Sequence, residues 1–306
     1  MSGTTESLGR KIAGARDLEG VVRSMKALAA SSIGQYEKSV QSLHAYSRTV
    51  ELGLIACLRQ TGRTPVADDG RPPHGAKIGA VIFGSDQGLV GRFNEVLVEF
   101  AVSTLKGLTG KLTKTWAVGE RAHSLMADTG LSPVSLLSVP NSVNAITPLI
   151  GEILIEIEAA RERGDVWEVY VFHNQPQSGA MYEPVSKRLL PLDHTWGDKF
   201  ATTPWPTKTL PEVIEGVPSA LQAFIREYLF VLLFQASAES LASENGSRLA
   251  AMQRAEKNIE DILENLNRTL YRIRQEFIDE ELFDVISGAE ALTKRPHPAK
   301  TLKVVY

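Results

Sequence analysis

The sequence predicts an α/β chain. Its N- and C-terminal helices form a long antiparallel coiled coil, and a small, open, mostly parallel sheet domain is inserted between them. Three observations carry this expectation. An apolar stripe at helical spacing runs from Leu8 to Leu54, with no proline before Pro65. A second stripe occupies the span between Pro218 and Pro296. Between them lie short apolar runs, bounded by glycine and separated by helical patterns.

In the first helix, apolar or small residues recur at steps of three and four: Leu8, Ile12, Ala15, Leu18, Val22, Met25 and Ala29. The stripe continues through Ile33, Tyr36, Val40, Leu43, Ser47 and Val50. Periodicity sustained this long marks a coiled-coil seam rather than an ordinary surface helix. At 1.5 Å per residue, residues 6–59 would extend roughly 80 Å. The last helix repeats the pattern with Leu221, Ile225, Tyr228 and Leu232, then Leu249, Met252, Ala255, Ile259, Ile262, Leu266, Leu270, Ile273 and Phe277. Each narrow stripe needs a cover, and the other stripe supplies it if the helices pair antiparallel. Phe224–Phe234 is apolar nearly all round, so it should pack on the middle domain as well.

The middle begins after a Pro/Gly-rich loop, residues 60–76, that ends the first helix. Lys77–Phe83 reads as a buried strand. The turn Gly84-Ser-Asp-Gln-Gly-Leu-Val-Gly91 follows and leads into a helix from about Asn94 to Leu105. Thr115–Val118 reads as a strand and Glu120–Asp128 as a helix. A further helix is expected over Pro148–Arg163, and a strand over Val166–His173. Met181–Leu190 reads as an edge strand, because Pro184 cannot donate to a central ladder. The expected organisation is therefore 1–59 and 210–292 as terminal helices, 60–209 as the insert, and 293–306 as a basic tail.

Composition and motifs narrow the chemistry. A net charge of −3 gives no electrostatic case for nucleic-acid binding. The N-terminus lacks the layout of a secretory signal, and Phe224–Phe234 is too short to span a bilayer, so a cytoplasmic chain is expected. The single cysteine, Cys57, lies in an apolar helical pattern and reads as a buried thiol. The glycines at 84, 88 and 91 do not have dinucleotide spacing, and no phosphate-binding G-x-x-x-x-G-K-[ST] loop occurs. Ser85 and Asp86 read instead as turn and helix-cap residues. The six histidines show no metal-ligand spacing. No nucleophile elbow is present. The acidic residues Glu276, Asp279, Glu280, Glu281 and Asp284 read as a solvated or partner-facing surface. No catalytic residue, metal or cofactor is expected.

Three segments, in order, resemble the gamma subunit of F-type ATP synthases. Met25, Ala29, Ala30 and Ser31 are similar to the core of that family's opening helix. Ser85-Asp86-Gln-Gly88-Leu89-Val-Gly91-Arg-Phe-Asn94 looks like its S-D-x-G-L-C-G-x-x-N turn. Glu239-Ser-Leu-Ala-Ser-Glu244, Arg248-Leu-Ala-Ala-Met252, Asn258, Arg274-Gln275, Ile278, Glu281 and Gly288-Ala289 resemble its C-terminal signature. Ser32, Arg272 and Asp279 depart from the pattern, as does the tail from Thr293. These departures suggest a divergent bacterial branch, such as the alternate sodium-type synthases.

The resemblance implies a non-catalytic rotor stalk standing inside a ring of three alpha and three beta subunits. It also implies epsilon and a membrane c-ring as partners. The chain would then lie peripherally at the cytoplasmic face of a bacterial inner membrane, touching the bilayer only through the membrane sector. Candidate contacts with the catalytic ring are Met25, Arg248, Arg274, Gln275, Asp279 and Glu281. Ser85, Asp86, Gly88 and Gly91 would shape the insert where it meets the shaft. A coiled-coil scaffold or adaptor with an α/β head is the alternative that periodicity alone leaves open.

Overall fold

The computed structural model describes residues 2–61, 76–108, 110–131, 133–177, 182–192, 203–209, 211–213 and 216–293. The elements in order are α1 (Ser2–Thr61), β1 (Lys77–Phe83), α2 (Phe93–Gly107), β2 (Lys111–Val118) and α3 (Glu120–Asp128). They continue with β3 (Ser135–Leu137), α4 (Val143–Glu162), β4 (Glu168–Pro176), β5 (Tyr182–Leu190) and the C-terminal helix α5 (Val217–Thr293). The chain divides into two compact units, one of Met1–Ser24 with Arg254–Tyr306 and one of Met25–Gln253.

The larger unit contains the sheet, with strand order β3-β2-β1-β4-β5. Its first four strands are parallel, and β5 closes one edge antiparallel to β4. Alternation along the strands divides the core between two faces. Val81, Phe83, Trp116, Val118, Val169 and Val171 point to one side, against Ile146, Ile150 and Ile153 of α4 and Leu229 and Leu233 of α5. Ile78, Ala80, Ile82, Ala117 and Phe172 point to the other, against Leu97, Val98 and Ala101 of α2 and Met126 of α3. With both faces covered, the strands read as continuous apolar runs, as parallel strands do.

In the same unit the C-terminal part of α1 packs on the start of α5. Val50, Leu54, Ile55 and Leu58 meet Leu221 and Val231, with Phe224, Ile225 and Tyr228 around them. The Tyr46 hydroxyl donates to Glu227 at 2.6 Å, and Gly53 lies against the ring of Phe224. Rising numbers in α1 thus meet falling numbers in α5, the antiparallel pairing expected. Cys57 is fully buried in this seam, and desolvation raises its pKa. α5 carries an 18-residue window of mean hydropathy 1.4, a composition that a membrane span shares. Its Leu229, Leu233 and Phe234 are nonetheless in the core beside the sheet, where the all-round apolar character of Phe224–Phe234 placed them.

Burial along α1 follows the stripe closely. Ile12, Ala29, Tyr36, Val50 and Leu54 are buried, and Leu8, Ala15, Val22, Met25, Ile33, Val40, Leu43 and Ser47 are half-buried. Leu18 departs from it at 59% exposure. In the smaller unit Arg23 reaches Glu256 across the helices at 4.0 Å. Along α5 the stripe holds at Ile259, Leu266, Leu270 and Ile273, but Ile262 is exposed and Leu263 takes its place.

One strand and four boundaries differ from expectation; the C-terminal helix, expected from residue 210, begins at Val217, after Pro211. β3 has only three residues, too few to show a period. β2 begins at Lys111, because its polar first half pairs with β1 regardless of hydrophobicity. β4 runs from Glu168 to Pro176 and not from Val166. α4 starts at Val143, so Pro148 lies inside it. That proline costs only the bond to the Asn144 carbonyl, close to a helix start where unpaired groups are usual. The tail beyond Thr293 and most of the 60–76 loop lie outside the described residues.

Candidate functional site

In an open parallel sheet, ligands collect beyond the carboxyl ends of the strands, where the order reverses. Here that place lies between β1 and β4. The loop Ser85–Gly91 leaves β1 at this point, and α5 crosses it. The Ser240 hydroxyl donates to the Phe83 carbonyl at 2.8 Å, and Ser243 donates to the Asn174 carbonyl at 3.0 Å. Ser247 donates to the carbonyl of Val90. Two of these carbonyls lie on β1 and β4, and the third lies in the loop, where the Phe93 N–H also reaches it at 3.3 Å. The crevice is filled by the chain's own helix.

The loop is fixed by reciprocal bonds. The Ser85 N–H donates to Asn94 Oδ1 at 3.0 Å, and Asn94 Nδ2 donates back to Ser85 Oγ at 2.8 Å. Asp86 works as a cap, but for a distant helix. One carboxylate oxygen accepts the Glu120 N–H at the start of α3, and the other accepts the Val139 N–H, each at 3.1 Å. Gly119, at φ +105°, lets this start approach the Ser85 backbone, where a Cβ would come within 2.6 Å. Gly91 takes a positive φ of 59°. Gly88 does not need to be glycine, since a Cβ there meets nothing within 4 Å. Leu89 instead carries a φ of 61° and stands 62% exposed. A leucine held left-handed with its side chain in solvent is uncommon, and such outliers gather at functional surfaces.

Met25, Asp86 and Arg248 come together in the larger unit, where they line one cleft of about 310 Å³. Arg248 Nη2 donates to Glu244 at 2.6 Å. Burial raises the Glu244 pKa, and Arg248 only partly opposes it. Met25 is half-buried, whereas Leu28 is 69% exposed on the helix surface. Arg274, Gln275, Asp279 and Glu281 belong to the smaller unit. All four are exposed on α5, and they do not join the cleft. Beside them stands an apolar surface: Phe277, Ile278, Leu282, Phe283, Val285 and Ile286 are all at least 49% exposed.

Sequence reasoning missed two features of this site. One is the serine face of α5, whose signal was Ser237, Ser240, Ser243 and Ser247 at steps of three and four. The other is a buried pair in which His173 Nε2 lies 2.8 Å from Glu239, whose other oxygen accepts from Gln235 at 2.7 Å. Desolvation lowers the His173 pKa, against the pull of Glu239. Burial alone would raise Glu239, but the bonds from His173 and Gln235 hold it low. The pair is therefore a neutral imidazole donating to a carboxylate. Histidine spacing gives no hint of it, because the partners are distant in sequence.

A family model described as ATP synthase matches residues 4–292. An ATP synthase gamma chain from Dechloromonas aromatica is 26% identical over 288 residues, covering 92% of this chain and 97% of the relative. One from Frankia casuarinae is 27% identical over 299 residues, with coverage of 95% and 99%. Among solved structures, a chain of the Euglena gracilis mitochondrial ATP synthase aligns with a TM-score of 0.63 at 15% identity, covering 99% of this chain and all of that one. A chain from the central stalk and c-ring of the Tetrahymena thermophila mitochondrial enzyme aligns with a TM-score of 0.57 at 20% identity, covering 77% of this chain and 99% of that one. The fold, the loop after β1 and the near full-length match together establish that this chain belongs to the ATP synthase gamma-chain family.

Proposed function

We infer that the chain is the central-stalk subunit of a rotary ATP synthase, coupling rotation of a membrane ring to conformational cycling of the catalytic sites. The observation that carries this reading is the bare end of α5. Six large apolar side chains are exposed between Phe277 and Ile286. A helix end of this kind needs a collar from another protein. In the central stalk that collar is the ring of three alpha and three beta subunits, within which the helix turns.

On this reading the terminal segments, 1–59 and 210–292, which carry α1 and α5, work as the shaft, and 60–209 is the head. The head meets epsilon and the c-ring, and 293–306 is an appended tail. The subunit performs no chemistry of its own. It lies peripherally at the cytoplasmic face of a bacterial inner membrane. Its effect on the catalytic sites requires an asymmetric surface, because equal contacts with every site would shift no equilibrium. Met25, Arg248 and the exposed Leu89 offer such a surface on one unit. Arg274, Gln275, Asp279 and Glu281 offer it on the other.

A pull-down of the tagged chain from its native membranes, with subunit stoichiometry by mass spectrometry, tests this. Alpha and beta recovered at three each per copy, with ATPase activity, is the expected result. Recovery without ATPase subunits refutes the stalk assignment and favours an adaptor.

A further inference from the structure

In the smaller unit the two helices stop covering one another after Ile273. Ile273 is half-buried, whereas every residue from Arg274 to Glu290 is exposed, although α5 runs on as helix to Thr293. The register explains this. Arg23 stands opposite Glu256, and α1 starts at Ser2. With equal rise in an antiparallel pair, α1 runs out level with about residue 277 of α5. Among the described residues nothing lies beside the turns that follow.

Two rows divide this bare helix. At about 100° per residue, Ile278, Leu282, Val285 and Ile286 share one face. Glu276, Glu280 and Asp284 fall on the opposite face, and Phe277 and Phe283 stand between the rows. The seam before Ile273 supplies the helix nucleus, so local terms decide whether the helix continues. Those terms oppose it. Glu276 with Glu280, and Glu280 with Asp284, are like charges four residues apart. Acids lie toward the carboxyl end of the helix, where the macrodipole disfavours them, and the last turn carries no basic residue. Ile278, Val285, Ile286 and Gly288 are weak helix formers. Arg272 offsets Glu276 at 3.6 Å, but both are exposed and such a pair contributes little.

A helix of this composition persists when something lies against it, and the rows say what. The apolar row calls for a groove, the usual receiver of an amphipathic helix. The acidic row calls for cations. A second copy of this chain would set acid against acid. An anionic lipid surface would repel the same row, since helices that lie on membranes carry Lys and Arg there. We propose that residues 274–290 are ordered by a protein partner that receives them in an apolar groove flanked by lysine or arginine. The groove takes Ile278, Leu282, Val285 and Ile286, and the basic side chains meet Glu280 and Asp284. In the free chain these turns are unwound, and they become helical on assembly. Which subunits form the groove rests on the stalk assignment, whereas its chemistry does not.

Amide hydrogen exchange, read by mass spectrometry, tests this on the purified full chain and on the complex isolated from native membranes. In the free chain residues 274–290 should exchange like an unstructured peptide, while the seam at 259–273 is protected. In the complex the same residues should gain protection of about ten-fold or more. Equal protection in both states, or none in a complex that contains alpha and beta, would overturn the proposal. Glu280→Lys combined with Asp284→Lys tests the charge. It turns repulsion from Glu276 into attraction and suits the dipole, so exchange in the free chain should slow. In the complex it sets cation against cation, and protection should fall by about ten-fold. Unchanged protection in the complex would overturn the basic flank. A complex lacking alpha and beta refutes the stalk assignment. In that complex, protection of 274–290 still supports a groove on another partner, and rapid exchange overturns it.

Discussion

Asp86 sits in the loop after β1 but caps α3 and holds the segment entering α4, so one side chain fixes two crossovers. Asp86→Ala leaves both N–H groups without their acceptor and should cost about 1–2 kcal/mol. Urea unfolding of the purified chain measures that loss directly. His173 makes a prediction about pH. Burial lowers its folded pKa, so the unfolded chain protonates first as acid is added. The contribution of His173 is full above the unfolded value of about 6.5 and is lost as pH falls from there through the lower folded value. Glu239, also lowered, acts in a separate window below the ordinary carboxylate value. Glu244, raised, slopes the opposite way, so the difference between wild type and His173→Gln isolates the imidazole. The two stability curves should converge toward acid and separate above neutrality. Parallel curves from pH 5 to 8 would show that His173 does not titrate on unfolding, a range set by its ordinary pKa of about 6.5.

The paired helices put helix propensity and packing in opposition at Gly53. Alanine is favoured over glycine inside a helix by about 1 kcal/mol. A Cβ at this position would nevertheless lie 2.2 Å from the Phe224 ring, which fills the seam between α1 and α5. Displacing a packed ring costs about 1–3 kcal/mol. Gly53→Ala should therefore destabilise the chain, with the midpoint of thermal unfolding falling rather than rising. Much at this scale was legible in advance. The stripe on α1 anticipates burial at nearly every step from Leu8 to Leu54, because a seam must keep one period along its whole length. β5 was legible as an edge through Pro184. What escaped depends on the partner rather than on the strand or helix itself. β3 is too short to carry a period, and the first half of β2 is held by the ladder of β1. The cleft was half legible: Met25, Asp86 and Arg248 were singled out separately. Their meeting with Tyr36 and Glu244 arises only when three segments fold together.

For the molecule as a whole, the exposed end of α5 separates stability from assembly. Phe283 is 73% exposed and touches little of its own chain. Phe283→Glu should change the unfolding free energy by less than about 0.5 kcal/mol. On the stalk assignment it should sharply reduce recovery of alpha and beta with the chain, and ATP synthesis in membranes. Undiminished recovery would mean that this apolar end meets no collar. The serine face of α5 has a different consequence. Ser240, Ser243 and Ser247 each hold a carbonyl on a separate segment of the head. A helix held at three points along one face cannot turn about its own axis without breaking all three bonds together. It behaves as a splined joint: torsion reaching α5 passes into the sheet without slip, and the joint yields only as a whole.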